Sequence, residues 1–277
     1  MCRWLAYSGS PIKLEELLVK RDRSLIDQSL HARLGATTTN GDGFGVGWYG
    51  DDETPRVYRS THPAWNDRNL RELAAGISSP LFFAHIRAST GTAIQETNTH
   101  PFRHGRWLWM HNGLIREFAR VKRELVLAVD DSLFPSIEGT TDSETMFYLA
   151  LTFGLEDDPV AAVEQMVGLV EETGRARGVE QPIQMTVAAT DGRTIWAFRY
   201  SSEHDSRSLH FSTRMDSLKA MYQDSEELAR LSDETRVVVS EPLGDLPGAW
   251  NEVPESHVGI VQPGADELRP FKPRHGT

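Results

Sequence analysis

A chain of 277 residues, 39% of them hydrophobic, is long enough to bury the core of one large domain. A formal net charge of -11 argues against general nucleic-acid binding. No apolar run approaches the roughly twenty residues a membrane helix needs and no signal-peptide pattern opens the chain, so the composition points to a cytoplasmic protein without membrane association, while the single cysteine, Cys2, excludes an internal disulfide and a cysteine-based zinc cluster.

The first element is a strand in Met1-Cys2-Arg3-Trp4-Leu5-Ala6-Tyr7, and Ser10-Pro11 reads as the start of a helix carrying apolar residues at helical spacing over 13–20. From Asn40 a turn leads into a strand in which glycine alternates with bulky residues (Gly43, Gly45 and Gly47), the mark of close approach by another backbone or a ligand. These glycines do not open a helix, which excludes a dinucleotide-binding loop. A helix is predicted over 70–77, a buried strand over 81–86, and a second over 107–110 that ends at His111-Asn112-Gly113. Helices follow at about 115–129, 142–153 and 159–173. A hairpin over 183–200 turns at Asp191-Gly192, and further strands lie near 209–213, 236–240 and 257–261. Strands at both ends and helices between them suggest layered sheets rather than a βαβ array. We read one domain over 1–268 and a loose tail over 269–277.

Four segments carry polar residues that a plain core does not require. Removal of Met1 would leave Cys2 with both a thiol and a free α-amine, whose ordinary pKa of roughly 7.7 to 8.0 suits it to take the thiol proton. The alternative is an incidental small residue in a strand. Arg87, delivered by the strand Ala84-His85-Ile86, could clamp a carboxylate or pair structurally with one of the chain's many acids. Asn112 and the Gly113 N–H could together face an oxyanion, although Asn-Gly is also a hairpin signal. Asp142 could cap a helix or accept a substrate ammonium. His85, His100, His104 and His111 cluster in sequence without a full ligand set, so no metal is expected, and no Gly-x-Ser-x-Gly elbow supports a serine triad.

In order along the chain, Cys2, Ala84-His85-Ile86-Arg87, Asn98-Thr99-His100-Pro101, His111-Asn112-Gly113 and Thr141-Asp142-Ser143-Glu144 resemble the motifs of the class II glutamine amidotransferases, members of the N-terminal-nucleophile hydrolase superfamily. The resemblance implies an α+β fold, a four-layer αββα sandwich of two antiparallel sheets. It implies Cys2 as nucleophile with its amine as base, and Asn112 and the Gly113 N–H as oxyanion hole. Arg87, Asp142, Thr90 and His111 would bind a γ-glutamyl substrate, and no cofactor is implied. The expected reaction forms a Cys2 thioester and releases glutamate with ammonia or a larger amine. Fused synthetases of the family commonly follow the strand arginine with Trp-Ala-Thr-His-Gly, whereas Arg87 is followed by Ala88-Ser89-Thr90-Gly91, which leaves room for a bulkier substrate. Met1-Cys2-Arg3 and the 238–243 segment are closer to standalone members, among them the γ-glutamyl amidohydrolase of ergothioneine biosynthesis. Trp4 stands where a histidine is common in that subgroup, so its substrate is not carried over. Two other readings stay open: a glutaminase subunit supplying ammonia to a separate synthetase, and a non-catalytic sensor of γ-glutamyl ligands. The oligomeric state is not legible.

Overall fold

The computed structural model describes residues 2–20, 23–30, 39–89, 91–224 and 226–276. In chain order its elements are β1 (Arg3–Lys13), α1 (Glu15–Leu18), α2 (Leu25–Leu30), β2 (Phe44–Trp48), β3 (Arg56–Ser60), α3 (Arg68–Gly76) and β4 (Ser78–Ile86). There follow β5 (Phe102–His104), β6 (Trp107–Ile115), α4 (Phe118–Leu127), α5 (Asp142–Thr152), α6 (Pro159–Ala176), β7 (Ile183–Thr190) and β8 (Ile195–Ser201). The chain ends with β9 (His210–Ser212), α7 (Met215–Met221), α8 (Glu226–Ala229), β10 (Arg236–Val239), β11 (Trp250–Glu252), β12 (His257–Val261) and β13 (Glu267–Pro270). None of the helices among the described residues is long and apolar enough to cross a membrane.

Two sheets form, in the orders β11-β9-β10-β1-β4-β2-β3 and β13-β12-β8-β7-β6-β5. Every pairing is antiparallel. Side chains alternate across a strand, so each strand feeds two cores. Leu5 and Tyr7 of β1 join Phe82, Ala84 and Ile86 of β4 against α1, α2 and α3. Their neighbours Trp4, Ala6, Leu81 and Phe83 face the other way and meet Leu108, Met110, Ala188 and Ala197 of the second sheet. On the far side, Trp107 and Trp109 of β6 and Met185 and Val187 of β7 pack under α4, α5 and α6. Three cores between four layers make the αββα sandwich. Because both faces of each central strand are covered, those strands read as continuous apolar runs instead of alternating ones.

The glycines of β2 serve close approach, as expected. A Cβ on Gly45 would lie 2.1 Å from the His100 carbonyl oxygen, and one on Gly47 would lie 2.8 Å from Pro101 and 2.9 Å from Leu108. The bare strand face therefore admits the His100-Pro101 segment.

Three local expectations are corrected. Ser10-Pro11 does not start a helix: β1 runs on to Lys13, its register slips between Ser8 and Ile12, and Ile12 and Lys13 still pair with Ser79 and Ser78. A proline without an N–H is tolerated at such an irregularity, and β4 supplies the partner that local propensity could not foresee. Asn112-Gly113 is not a turn either, since β6 continues to Ile115 with Asn112 opposite Thr186 and Gly113 opposite Met185. The 269–277 segment is not a loose tail over its described part. Residue 268 falls inside β13, which pairs Arg269 with Val258, and Phe271 is 1% exposed against Phe198 and Tyr200.

Candidate active site

Cys2 precedes β1, and the pairing of Arg3 with Ile86 sets it across from the residues that leave β4, Arg87 and Ala88. The Ala88 N–H donates to the Cys2 Sγ at 3.3 Å, and the Ala88 carbonyl lies 3.5 Å from the same sulfur. The second sheet supplies Asn112, on the face of β6 shared with Leu108 and Met110. Its Nδ2 donates to the Cys2 carbonyl at 3.1 Å. Arg3 Nη1 donates to that carbonyl as well, at 3.1 Å. Burial pushes the Cys2 thiol pKa up, while the Ala88 N–H and the charges of Arg87 and Arg3 pull it down. A thiol raised in this way is protonated near neutral pH and requires a base before it can attack.

Arg87 is buried, and the turn after β4 wraps around its guanidinium. Nη2 donates to Thr92 Oγ1 at 2.7 Å, to the Ala93 carbonyl at 3.1 Å and to Ser89 Oγ at 3.3 Å, while Nη1 reaches the Asp42 carbonyl at 3.5 Å. These are all neutral oxygens. Among the described residues no carboxylate forms an ion pair with it, although the Asp42 charge lies near enough to favour the guanidinium. A buried cation whose direct hydrogen-bond partners are neutral oxygens favours an incoming anion. Thr90, expected beside the substrate carboxylate, lies outside the described residues.

Asp142 is the first residue of α5 but not its cap. Thr141 is the cap, its Oγ1 accepting the Glu144 N–H at 3.2 Å. The Asp142 carboxylate instead accepts the Ile115 N–H at 2.8 Å and the Ser143 N–H at 2.8 Å, tying the start of α5 to the end of β6. His111 faces the helices rather than the gap between the sheets, and its Nδ1 lies 2.8 Å from Ser143 Oγ. Burial lowers the His111 pKa, with the Asp142 charge opposing. Gly113 has φ +147, and a Cβ there would lie 1.9 Å from the Gln184 carbonyl oxygen, so no other residue fits between Asn112 and Leu114.

Several braces escaped the sequence reading. Asn98, in the quoted Asn-Thr-His-Pro segment, accepts the Thr140 N–H at 2.8 Å and donates to the Ala93 carbonyl at 2.9 Å, linking the Arg87 turn to the loop before Asp142. Glu144 holds that same loop by accepting the Glu138 and Gly139 N–H groups at 3.0 and 2.7 Å. The position of Asn98 in a quoted motif was a usable signal, whereas its role was not.

Among the described residues, no three His, Cys, Asp or Glu side chains are placed to hold a metal ion. His104 packs edge-on to Tyr148, while His85 and His100 stack with ring centroids 4.2 Å apart and no hydrogen-bond partner on any ring nitrogen. Burial drives the His85 pKa down to about 3 and the His100 pKa well below its ordinary value. The unfolded chain therefore binds protons on these residues first, and stability falls as pH drops from about 6.5 towards the folded values, by up to about 1.4 kcal/mol per pH unit for each histidine. Denaturant unfolding at pH 7 and pH 5 checks this: wild type should lose more stability than His85→Phe.

A four-layer αββα sandwich with a cysteine at the head of an inner strand, facing an Asn-Gly pair on the opposite sheet, is the architecture of an N-terminal-nucleophile hydrolase. The family model of the class II glutamine amidotransferases matches residues 18–274, and the chain belongs to that family. It is accordingly an enzyme of the kind that cleaves a γ-glutamyl amide, in a family where an N-terminal cysteine nucleophile is typical. The probable glutamine amidotransferase DUG3 of Saccharomyces cerevisiae is 34% identical over 98% of this chain and 84% of its own length. The gamma-glutamyl-hercynylcysteine sulfoxide hydrolase of Mycolicibacterium smegmatis is 27% identical over 95% of this chain and 96% of its own. A solved glutamine aminotransferase class-II domain protein from Silicibacter pomeroyi superposes with a TM-score of 0.73 at 31% identity, covering 98% of this chain and all of that one.

Proposed function

We propose that this enzyme hydrolyses the γ-amide bond of glutamine or of a larger γ-glutamyl compound through a thioester on Cys2. The observation that carries the reading is the convergence on one residue. Cys2 Sγ takes the Ala88 N–H from the segment leaving β4 of one sheet, while its carbonyl takes Asn112 Nδ2 from β6 of the other. An amide NH2 has two hydrogens, so Asn112 can hold the nucleophile's backbone with one and donate the other to an oxyanion.

Loss of Met1 makes the α-amine of Cys2 the base that takes the thiol proton. The thiolate attacks the γ-carbonyl, the oxyanion is held by Asn112 and the Gly113 N–H, and the protonated amine returns its proton to the leaving nitrogen. Ammonia or an amine departs, and water then cleaves the thioester to release glutamate. Arg87 attracts the substrate α-carboxylate and Asp142 its ammonium, each exchanging bonds now made within the protein. Ala88, in place of a bulky aromatic residue, leaves space beside the sulfur for a substituted amide. The relatives named a glutamine amidotransferase and a hydrolase of a γ-glutamyl sulfoxide agree with the glutamyl half of this substrate and differ on the other half.

The test is intact-mass analysis followed by a panel of γ-glutamyl amides. The expected results are absence of Met1, accumulation of a single γ-glutamyl adduct on Cys2, and release of glutamate from every substrate accepted. Retention of Met1 in an active preparation would overturn the mechanism. Acceleration by a partner synthetase, with ammonia passed on to it, would instead select the subunit reading.

A further inference from the structure

We propose that the buried ion pair between Arg3 and Glu241 is a positioning device for the nucleophile, an inference that rests on Cys2 being that nucleophile. Arg3 and Glu241 are 1% and 2% exposed, and Arg3 Nη2 lies 2.7 Å from Glu241 Oε2. The other arm of the same guanidinium, Nη1, donates to the Cys2 carbonyl at 3.1 Å. One rigid fork thus spans from Glu241, two residues past the end of β10, to the backbone of the reacting residue, a geometry that a point-charge lysine cannot reproduce.

Glu241 is itself anchored from two directions. The Ser240 N–H donates to the Trp4 carbonyl at 3.1 Å and the Trp4 N–H to Ser240 Oγ at 3.0 Å, which fixes the start of β1 against the end of β10. From α2, Gln28 Nε2 donates to the Pro242 carbonyl at 3.1 Å and approaches the Glu241 carbonyl at 3.4 Å. Arg23 Nη2 lies 3.4 Å from Glu241 Oε1 and its Nη1 pairs with Asp245 at the surface. The Cys2 carbonyl consequently receives one donor from Arg3 in its own sheet and one from Asn112 in the facing sheet. That fixes where the thiol and the α-amine of Cys2 can stand relative to Ala88.

Stability alone does not account for the pair. Burying two charges carries a desolvation cost that apolar residues of similar volume avoid, and such replacements are often neutral or stabilising. What an apolar pair cannot supply is a donor to the Cys2 carbonyl. A displacement of about 1 Å at a reacting group can cost about 100-fold in rate, which is the effect expected when that donor is lost.

The experiment compares Arg3→Met, Glu241→Gln and the double variant Arg3→Met/Glu241→Leu in the enzyme freed of Met1, with glutamine as probe. Glu241→Gln strands the Arg3 charge and Arg3→Met leaves Glu241 with only the longer Arg23 contact, so each single variant should lower both Tm and kcat. The double variant should melt close to wild type yet remain about 100-fold slower in kcat, with KM little changed. Recovery of kcat along with Tm would make the pair merely structural and overturn the proposal. Arg3→Lys gives a second reading if the double variant does not fold. It keeps the charge opposite Glu241 but loses the fork, so kcat should still fall, and wild-type kcat in that variant also overturns the proposal. Full activity in Cys2→Ala would bring down the nucleophile assignment and this proposal with it, a result distinct from either of these.

Discussion

Replacing Cys2 with alanine should reduce turnover of every γ-glutamyl amide by a factor on the order of 10^6, the size of loss seen when the nucleophile of a covalent hydrolase is deleted. The reason is that, among the described residues, no other group near the site is free to form the acyl intermediate. Cys2 is the only cysteine in the chain, and the neighbouring hydroxyls of Ser89 and Thr92 are occupied with the Arg87 guanidinium. The substitution should leave the fold intact, because Arg3 and Asn112 hold the backbone carbonyl of residue 2 and not its side chain. Substrate should therefore still bind. The measurement is single-turnover kinetics beside a binding isotherm for glutamine, and residual activity above about a thousandth of wild type would refute the thioester route. An N-terminal extension that cannot be removed should give a comparable loss with the thiol still present, since the α-amine would be tied up in a peptide bond.

The residues that point to this chemistry were legible because each stands where an apolar run of sequence stops or starts. Cys2 heads β1, Arg87 leaves β4, and Asn112 interrupts the aromatic run of β6 with a polar side chain. Their meeting in space is a property of topology, and only the order of motifs hinted at it. The turn reading of Asn112-Gly113 failed because the partner strand β7 lies seventy residues further along, and pairing with Thr186 and Met185 overrides the local preference for a hairpin. The same limit explains the segment after residue 268. Its charged, proline-containing sequence reads as a tail, yet Glu267–Pro270 completes a sheet edge and Phe271 fills a hole between Phe198 and Tyr200. The Arg3–Glu241 pair was invisible for a different reason. A charge in a sequence does not announce burial, and its partner is at the other end of the chain. Asp142 shows a finer version of the problem: a helix start was evident, but Thr141 caps it because the Asp142 carboxylate is claimed by the Ile115 N–H of a distant strand.

Asn112→Ala should lower kcat by about 100- to 1,000-fold, equivalent to about 2.7 to 4 kcal/mol, while KM for the same substrate changes little. Both halves of the reaction place negative charge on the γ-carbonyl oxygen, so acylation and hydrolysis of the thioester should slow together. That distinguishes an oxyanion donor from a residue that only helps the amine leave, whose loss would slow acylation and let deacylation proceed. The β6 ladder does not depend on the Asn112 side chain, since Thr186 Oγ1 reaches the backbone carbonyl of this residue and Gly113 stays in register with Met185. The Cys2 carbonyl loses one of two donors and keeps Arg3, so part of any fall in rate could come from a looser nucleophile. The double variant Asn112→Ala/Arg3→Lys separates the two contributions. If Asn112 acts only through the Cys2 backbone, removing the second donor to the same carbonyl compounds the damage non-additively; if it acts on the oxyanion, the two losses multiply independently. Unchanged kcat in Asn112→Ala would remove it from the oxyanion hole and leave the Gly113 N–H as the remaining donor assigned to that role.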